Sequence, residues 1–381
     1  MKNNITALLP EIMEIRRTLH RFPELSFREI KTTELIRRKL KSWGLEFVPF
    51  KHLDTGGYCD VGAGPAIALR SDIDALPIKE NPRHEIISRI PGQMHACGHD
   101  FHTAVGLGLL KYFAENKEDL PGRLRVIFQP GEEAAPGGAE SVVKENIWES
   151  VKSIITVHVA PGVQSGKFIL HMGPVQASST SVRINISGPG GHTSKPFKTI
   201  DLINVCGFYI TQLQSHLAKK TDARDTVAFA FGAVNGGSTH NIIPQRVELR
   251  GTIRTLDNQV LADSQNLIRK FSASFANIYG AQINVQFPTT CPATINDRQL
   301  AEKFLAFMQM NDKEENLLLP PKPSMGADDF SFYLEKVPGL YLGIGAGGRG
   351  VLHSGDLLLD ENLLEPAIEN MAGFISFLFE G

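Results

Sequence analysis

The chain has 381 residues, enough for about two domains that each bury a core. Hydrophobic residues make up 42% and charged residues 21%, the balance of a globular protein rather than a disordered or fibrous one. A formal net charge of −2 and a pI near 6.6 argue against wholesale binding to nucleic acid or to an anionic membrane.

Ile5, Leu8, Leu9, Ile12, Ile15, Leu19 and Phe22 recur at helical spacing and predict an opening helix. Ser26 with Glu29 three residues later reads as the capping box of a second helix, which stops at Gly44. Apolar runs at 66–69, 124–128 and 153–159 read as buried strands, with helices over 103–115 and 139–146 between them. That alternation predicts an α/β layer on a mostly parallel sheet. Near residue 180 the pattern changes. Val182, Ile184 and Ile186 alternate, followed by a helix over 200–217 and strands at 226–234 and 246–256. Asp257 then N-caps another helix, and a last strand carries Ile283, Val285 and Phe287. The order β-α-β-β-α-β is the ferredoxin-like plan. Beyond residue 292 the chain returns to mixed helix and strand and closes in a helix over 361–379. The predicted organisation is a larger domain of residues 1–179 and 292–381 with a smaller one, 180–291, inserted between its halves.

The N-terminal stretch meets Pro10 and Glu11 too early to hold a signal peptide, and no apolar run approaches the ~20 residues that span a bilayer. Cys59, Cys97, Cys206 and Cys291 lie too far apart for a disulfide framework. A cytoplasmic location with no membrane partner is the expectation.

The densest chemistry is MHACGHDFH at 94–102. Cys97 and His99 are two apart, so in an extended segment both side chains point to one face. Thiolate and imidazole suit zinc-like transition metals, although a lone C-x-H is weak, and His95 and His102 read more simply as structural histidines. QPGEE at 129–133 places Glu132 and Glu133 just past an apolar strand, where open α/β sheets put their ligands. Two carboxylates in a Gly/Pro loop are otherwise a solvated turn. Asp72 and Asp74 in RSDIDALP follow a second strand, His158 ends a third, and His353 lies in GVLHSGD. Three apolar strands delivering metal-competent side chains at the same end are hard to dismiss as coincidence.

RSDIDALP, MHACGHD, QPGEEAAPGGA, GPGGHTSKP, NIIP, GTIRTLD, GADDFSFYL and LHSGD, in that order, resemble the N-acyl-amino-acid amidohydrolases. That family of metallopeptidases includes hippurate hydrolases and indoleacetyl-amino acid hydrolases and is related to aminoacylases and carboxypeptidase G. The resemblance covers nearly the whole chain, and MHACGHD with QPGEE is its specific part. It implies a mostly parallel-sheet metallopeptidase catalytic domain with an inserted ferredoxin-like domain that mediates homodimerisation. It further implies that Cys97, His99, Glu133, His158 and His353 hold one or two divalent ions, manganese or zinc, with Glu132 as catalytic base. Asp74 becomes a carboxylate orienting a ligand imidazole. Where the wider superfamily has His-x-Asp, this chain has Asp72-Ile73-Asp74, and His99 is expected to compensate. By the same resemblance His192 stabilises the oxyanion in the partner subunit's site, while Asn241 and Arg254 contact substrate; each of the three also has a structural reading.

The implied activity is hydrolysis of the amide bond of a small N-acyl amino acid, with Glu132 moving a proton from water to the leaving amine. Dipeptides and N-acetyl-diaminopimelate are alternative substrates. Glu132 and Glu133, if extended, should diverge and so take different roles. A cysteine hydrolase built on Cys97 would leave Glu132, Glu133, His158 and His353 without use. G-x-S-x-G and H-E-x-x-H are both absent. Gly345, Gly347 and Gly350 spell G-x-G-x-x-G, but the VLHSGD that follows does not read as a helix. An inactive metal-binding or interaction protein on the same fold is opposed by the intact Glu132–Glu133 pair.

Overall fold

The computed structural model describes residues 2–320 and 322–380. The chain divides into two compact units. The first comprises Met1–Gly173, Ile295–Lys322 and Asp329–Gly381, and the second Pro174–Thr294 with Pro323–Asp328.

The first unit is built on an eight-stranded sheet, and its four central strands run parallel in the order Arg123–Gln129, Ala66–Asp72, Val151–Ala160, Gly339–Gly345. Antiparallel strands Gly57–Gly62 and Phe47–Pro49 extend one side, and Phe168–Ile169 begins the other. Every residue of Ala66–Asp72 is buried. A parallel strand covered on both faces is a continuous apolar run, which is why this one shows in the sequence without alternation. Helix His99–Glu115 is buried along most of its length, and any Cβ at Gly106 or Gly108 would run into Ser71 or Ile368. Helices Lys2–Arg21 and Leu364–Glu380 share its core through Ile12, Leu107, Leu110, Ile368 and Phe374. Burying each such side chain stabilises the unit by about 1.5–3 kcal/mol.

The second helix departs from the sequence reading. It spans Ile30–Ser42, not 26 onwards; Glu29 stands at its N-cap position, but its side chain makes no capping hydrogen bond. The Glu24 carboxylate accepts from Thr32 N instead, at 2.9 Å. Ser26 and Glu29 are diverted to tertiary partners described below. The helix expected over 139–146 is a single turn, Ala139–Val142.

In the second unit the strands Val227–Gly236, Arg246–Thr255, Ser179–Ser187 and Gln282–Gln286 form, in that order, an antiparallel sheet. Helices Leu202–Lys220 and Asn258–Tyr279 complete the β-α-β-β-α-β order. Burial alternates along Ser179–Ser187, with Val182, Ile184 and Ile186 turned to the core. Asp257 caps the second helix through Gln259 N and Val260 N. Residues 323–328, assigned by sequence to the larger domain, belong to this unit. Ala177 N donates to Ser324 O and Ser324 N to Val175 O, at 3.1 and 2.9 Å, a pairing no local pattern announces. Among the described residues no helix is long and apolar enough to cross a membrane.

Candidate metal centre

Asp72 and Gln129 end neighbouring strands in register, and His158 lies two residues before the end of a third. The common carboxyl edge of the parallel strands therefore carries the polar residues. Cys97 and His99 arrive differently from the expected extended segment. They flank Gly98, which has φ +80 at the mouth of the buried helix, where a Cβ would strike Val159. A left-handed glycine, not strand alternation, brings the thiol and the imidazole together.

Ligand atoms of Cys97, His99 and His158 lie within 4.8 Å of one another, as do those of Cys97, Glu133 and His353, and those of His99, Glu132 and Glu133. The three groups share members, so the five residues implied as ligands, with Glu132, converge on one centre. Cys97 Sγ is 3.5 Å from His158 Nε2, and His353 Nε2 is 3.1 Å from Glu133 Oε1. Glu132 and Glu133 do not diverge as expected, because they occupy a turn instead of an extended segment. His353 sits at φ +62, a sparsely populated conformation for a non-glycine residue, anchored by His353 N donating to Ala96 O at 2.8 Å.

The hydrogen bonds fix which nitrogens face the centre. His99 Nδ1 donates to Asp74, whose O and Oδ1 lie at 2.9 and 3.1 Å, and His158 Nδ1 donates to Val159 O at 2.9 Å. Both rings thus present Nε2 inward. His99 Nε2 is buried and has no hydrogen-bond partner among the described residues; the nearest charged oxygens are those of Asp72 and Glu132 at 3.5 and 3.9 Å. An orphaned imidazole nitrogen amid a thiol, two further imidazoles and a carboxylate fits a divalent transition-metal ion.

Electrostatics agrees. Burial lowers His99, but the Asp72 charge, Cys97 and the Asp74 hydrogen bond outweigh it and hold the imidazole well above its ordinary range, so the position attracts positive charge. Burial would raise Asp74, yet His99, Ser26 and Glu133 N–H keep it below the usual carboxylate range. Burial pushes the Cys97 thiol up, which makes it a poor free nucleophile. That counts against the cysteine-hydrolase alternative.

Asp72, His99 and His102 also cluster, but Asp72 and His102 are already engaged with other partners. Val159 N donates to His102 Nε2 at 3.0 Å, so Nδ1 carries the proton and donates to Asp72 Oδ1 at 2.5 Å. His102 is a structural histidine. Asp72 Oδ2 pairs with the fully buried Arg70 at 2.6 Å, and Arg70 reaches Asp329 Oδ1 at 3.1 Å. Gln129 accepts from Arg70 Nε and Tyr333 Oη and donates to Asp329, all at 2.8–2.9 Å. Sequence reasoning missed this network. The available signal was a charged residue inside an otherwise apolar strand, Arg70 in IALRSD.

His192, Asn241 and Arg254 all lie in the second unit. His192 pairs with Ile242 in a two-stranded ribbon, and Thr193 N donates to Asn241 O at 3.1 Å. His192 Nδ1 accepts from Ser194 N at 3.1 Å, leaving Nε2 as the protonated, exposed nitrogen. Arg254 donates to Met325 O at 2.8 Å.

A parallel α/β sheet whose edge gathers these donors beside the adjacent carboxylates of Glu132 and Glu133 is the arrangement of a metal-dependent hydrolase. The chain belongs to Peptidase family M20/M25/M40, whose profile matches residues 68–376. It is 34% identical over 364 residues to the N-acetyl-L-cysteine deacetylase of Bacillus subtilis, covering 95% of this chain and 86% of the relative. It is 32% identical over 375 residues to thermostable carboxypeptidase 1 of Saccharolobus solfataricus, covering 96% and 94%. A solved structure from Bacillus subtilis, a dinuclear metal-binding peptidase of this family, superimposes with a TM-score of 0.86 at 32% identity over 98% of this chain and 99% of that one. The protein is a metallo-amidohydrolase.

Proposed function

We propose that the protein hydrolyses the amide bond of small N-acyl amino acids, with Cys97, His99, Glu133, His158 and His353 holding one or two divalent ions, manganese or zinc. The observation that carries this reading is the buried His99 Nε2, without a hydrogen-bond partner among the described residues, at the meeting point of those donors and with a Glu132 oxygen 3.9 Å away. A divalent ion held there supplies Lewis-acid charge, which makes water acidic near neutral pH and stabilises an oxyanion. Glu132 takes the proton of the attacking water and returns it to the nitrogen of the leaving amine. Asp74 keeps His99 oriented by accepting from its Nδ1.

Deacetylases of acylated amino acids among the relatives support the substrate class, and carboxypeptidases among them make a dipeptide the alternative. His192, with Nε2–H as its outward donor, is assigned to the oxyanion, supplied to the partner subunit's site in a homodimer. Asn241 and Arg254 are assigned to substrate, the planar guanidinium suiting a carboxylate. A cytoplasmic setting suits a chain whose four cysteines remain thiols outside any disulfide.

The test is amine release from a panel of N-acyl amino acids, N-acetyl-diaminopimelate and dipeptides, using chelated enzyme with single metals restored. Activity is expected to vanish on chelation and return with manganese or zinc. Full activity after exhaustive metal removal would sink the reading.

A further inference from the structure

The loop between strand Arg123–Gln129 and the turn Ala139–Val142 carries both Glu132 and Glu133 and has no regular structure of its own. Three backbone N–H groups along it are held by carboxylates. Gly131 N donates to Glu29 Oε1 at 2.9 Å, Glu133 N to Asp74 Oδ2 at 3.0 Å, and Ala139 N to Asp329 Oδ2 at 3.0 Å. Gly138 N donates to Gly131 O at 2.9 Å and closes the loop on itself.

Asp74 belongs to the centre already described, whereas Glu29 and Asp329 come from 102 and 190 residues away in sequence. Glu29 is fully buried and also accepts from Phe27 N at 2.8 Å and Thr55 Oγ1 at 2.7 Å. Phe27 is held in a left-handed conformation at φ +62, and its ring lies so close to Gly131 that a Cβ there would sit 2.6 Å from it. At the other end, a Cβ on Gly137 would collide with the Asp329 carboxylate, which Arg70 and Gln129 hold in place. Buried carboxylates from two remote segments therefore grip the loop at both ends, and the glycines let them approach.

We infer that Glu29 and Asp329 are positioning residues, clamping the backbone of residues 131–139 and so setting where Glu132 and Glu133 stand. The inference rests on the reading above, in which Glu133 holds an ion and Glu132 moves the proton. Catalytic groups displaced by about 1 Å can lose ~10²-fold in rate, so a loop without secondary structure needs such anchors.

The experiment compares Glu29→Ala, Glu29→Gln, Glu29→Asp and Asp329→Ala with the wild type. It measures manganese and zinc affinity of the metal-free proteins by calorimetry and kcat and KM on the best N-acyl amino acid. Glu29→Ala and Asp329→Ala are expected to weaken at least one ion by about 10-fold or more and to lower kcat by about 10- to 100-fold, with KM changed little. Glu29→Gln should recover most of both, because its amide oxygen still accepts from Gly131 N. Glu29→Asp keeps the charge but is one methylene shorter, and should behave like the alanine variant.

Folded Glu29→Ala with wild-type metal affinity and kcat would reduce Glu29 to an anchor of its own turn and overturn the inference. If Glu29→Ala does not fold, Glu29→Asp decides, and wild-type behaviour there has the same consequence. A wild type without metal-dependent amide hydrolysis defeats the functional reading alone, and the metal affinities still decide the clamp.

Discussion

In the first unit Asp74, Cys97 and His99 are sunk into the protein, Glu132, Glu133 and His158 are half-buried, and His353 is exposed. His99 and Asp74 are 1% and 0% exposed, and their hydrogen-bonding atoms are engaged except those turned to the centre. In the second unit His192 and Asn241 are exposed and Arg254 is half-buried, outside a core built mainly of apolar side chains. The contrast teaches where a substitution should register. A buried ionic group loses solvation on folding and depends on its neighbours for compensation, so removing one member strands the others. An exposed side chain stays solvated, and removing it changes only what it touches.

Arg70 is the most severe test of that contrast. Arg70→Met leaves Asp72 and Asp329 buried without their shared cation, and a loss of about 3–5 kcal/mol is expected, read from denaturant melts of the metal-free protein. A melt unchanged within error would break the comparison.

Next come the adjacent carboxylates. Glu132→Gln should keep wild-type metal content by mass spectrometry while kcat falls at least about 10²-fold. Glu133→Gln should weaken metal binding, with partial rescue by added metal. The reversed pattern would exchange their roles.

The third prediction uses pH. Burial, with the Asp74 charge, raises Glu29 from its ordinary value to about 7. The folded protein then binds more protons than the unfolded chain between 4.5 and about 7. Glu29's contribution therefore makes stability fall as pH rises through that window, by at most about 1.4 kcal/mol per unit. Glu29→Gln removes this component, so the difference between wild-type and variant stability should slope across the window; a flat difference would contradict the shift.

The smallest effect belongs to the second unit. If Arg254 holds a substrate carboxylate as proposed, Arg254→Lys should raise KM by about 10-fold, through loss of the planar fork, without moving the melting temperature. A fall in stability comparable to that of Arg70→Met would erase the distinction between the units.

The elements most legible in the sequence were those whose burial imposes a pattern. Continuous apolar runs marked the central strands, alternation marked Ser179–Ser187, and Asp257 marked a helix start. The candidate site was legible as metal-competent residue types, and the residues named from the family motifs are brought together in the structure. The errors fall where local chemistry has two outlets. Ser26 and Glu29 satisfy a capping pattern, yet Ser26 donates to Asp74 and Glu29 accepts from Gly131, because burial beside the centre offers partners that the helix end does not.

The sequence by itself determined the alternation of helix and strand, the inventory of metal-competent side chains and the family, since these depend on residue type and spacing along the chain. Tertiary structure alone decided which imidazole nitrogens face the centre, that Cys97 and His99 meet through a left-handed Gly98, and that both carboxylates of Glu132–Glu133 turn the same way. It also decided that Arg70 is locked between Asp72 and Asp329. The physical reason is that a buried polar group must find its partner wherever the fold brings one within hydrogen-bonding distance, and for Arg70 one such partner lies 259 residues away in the chain.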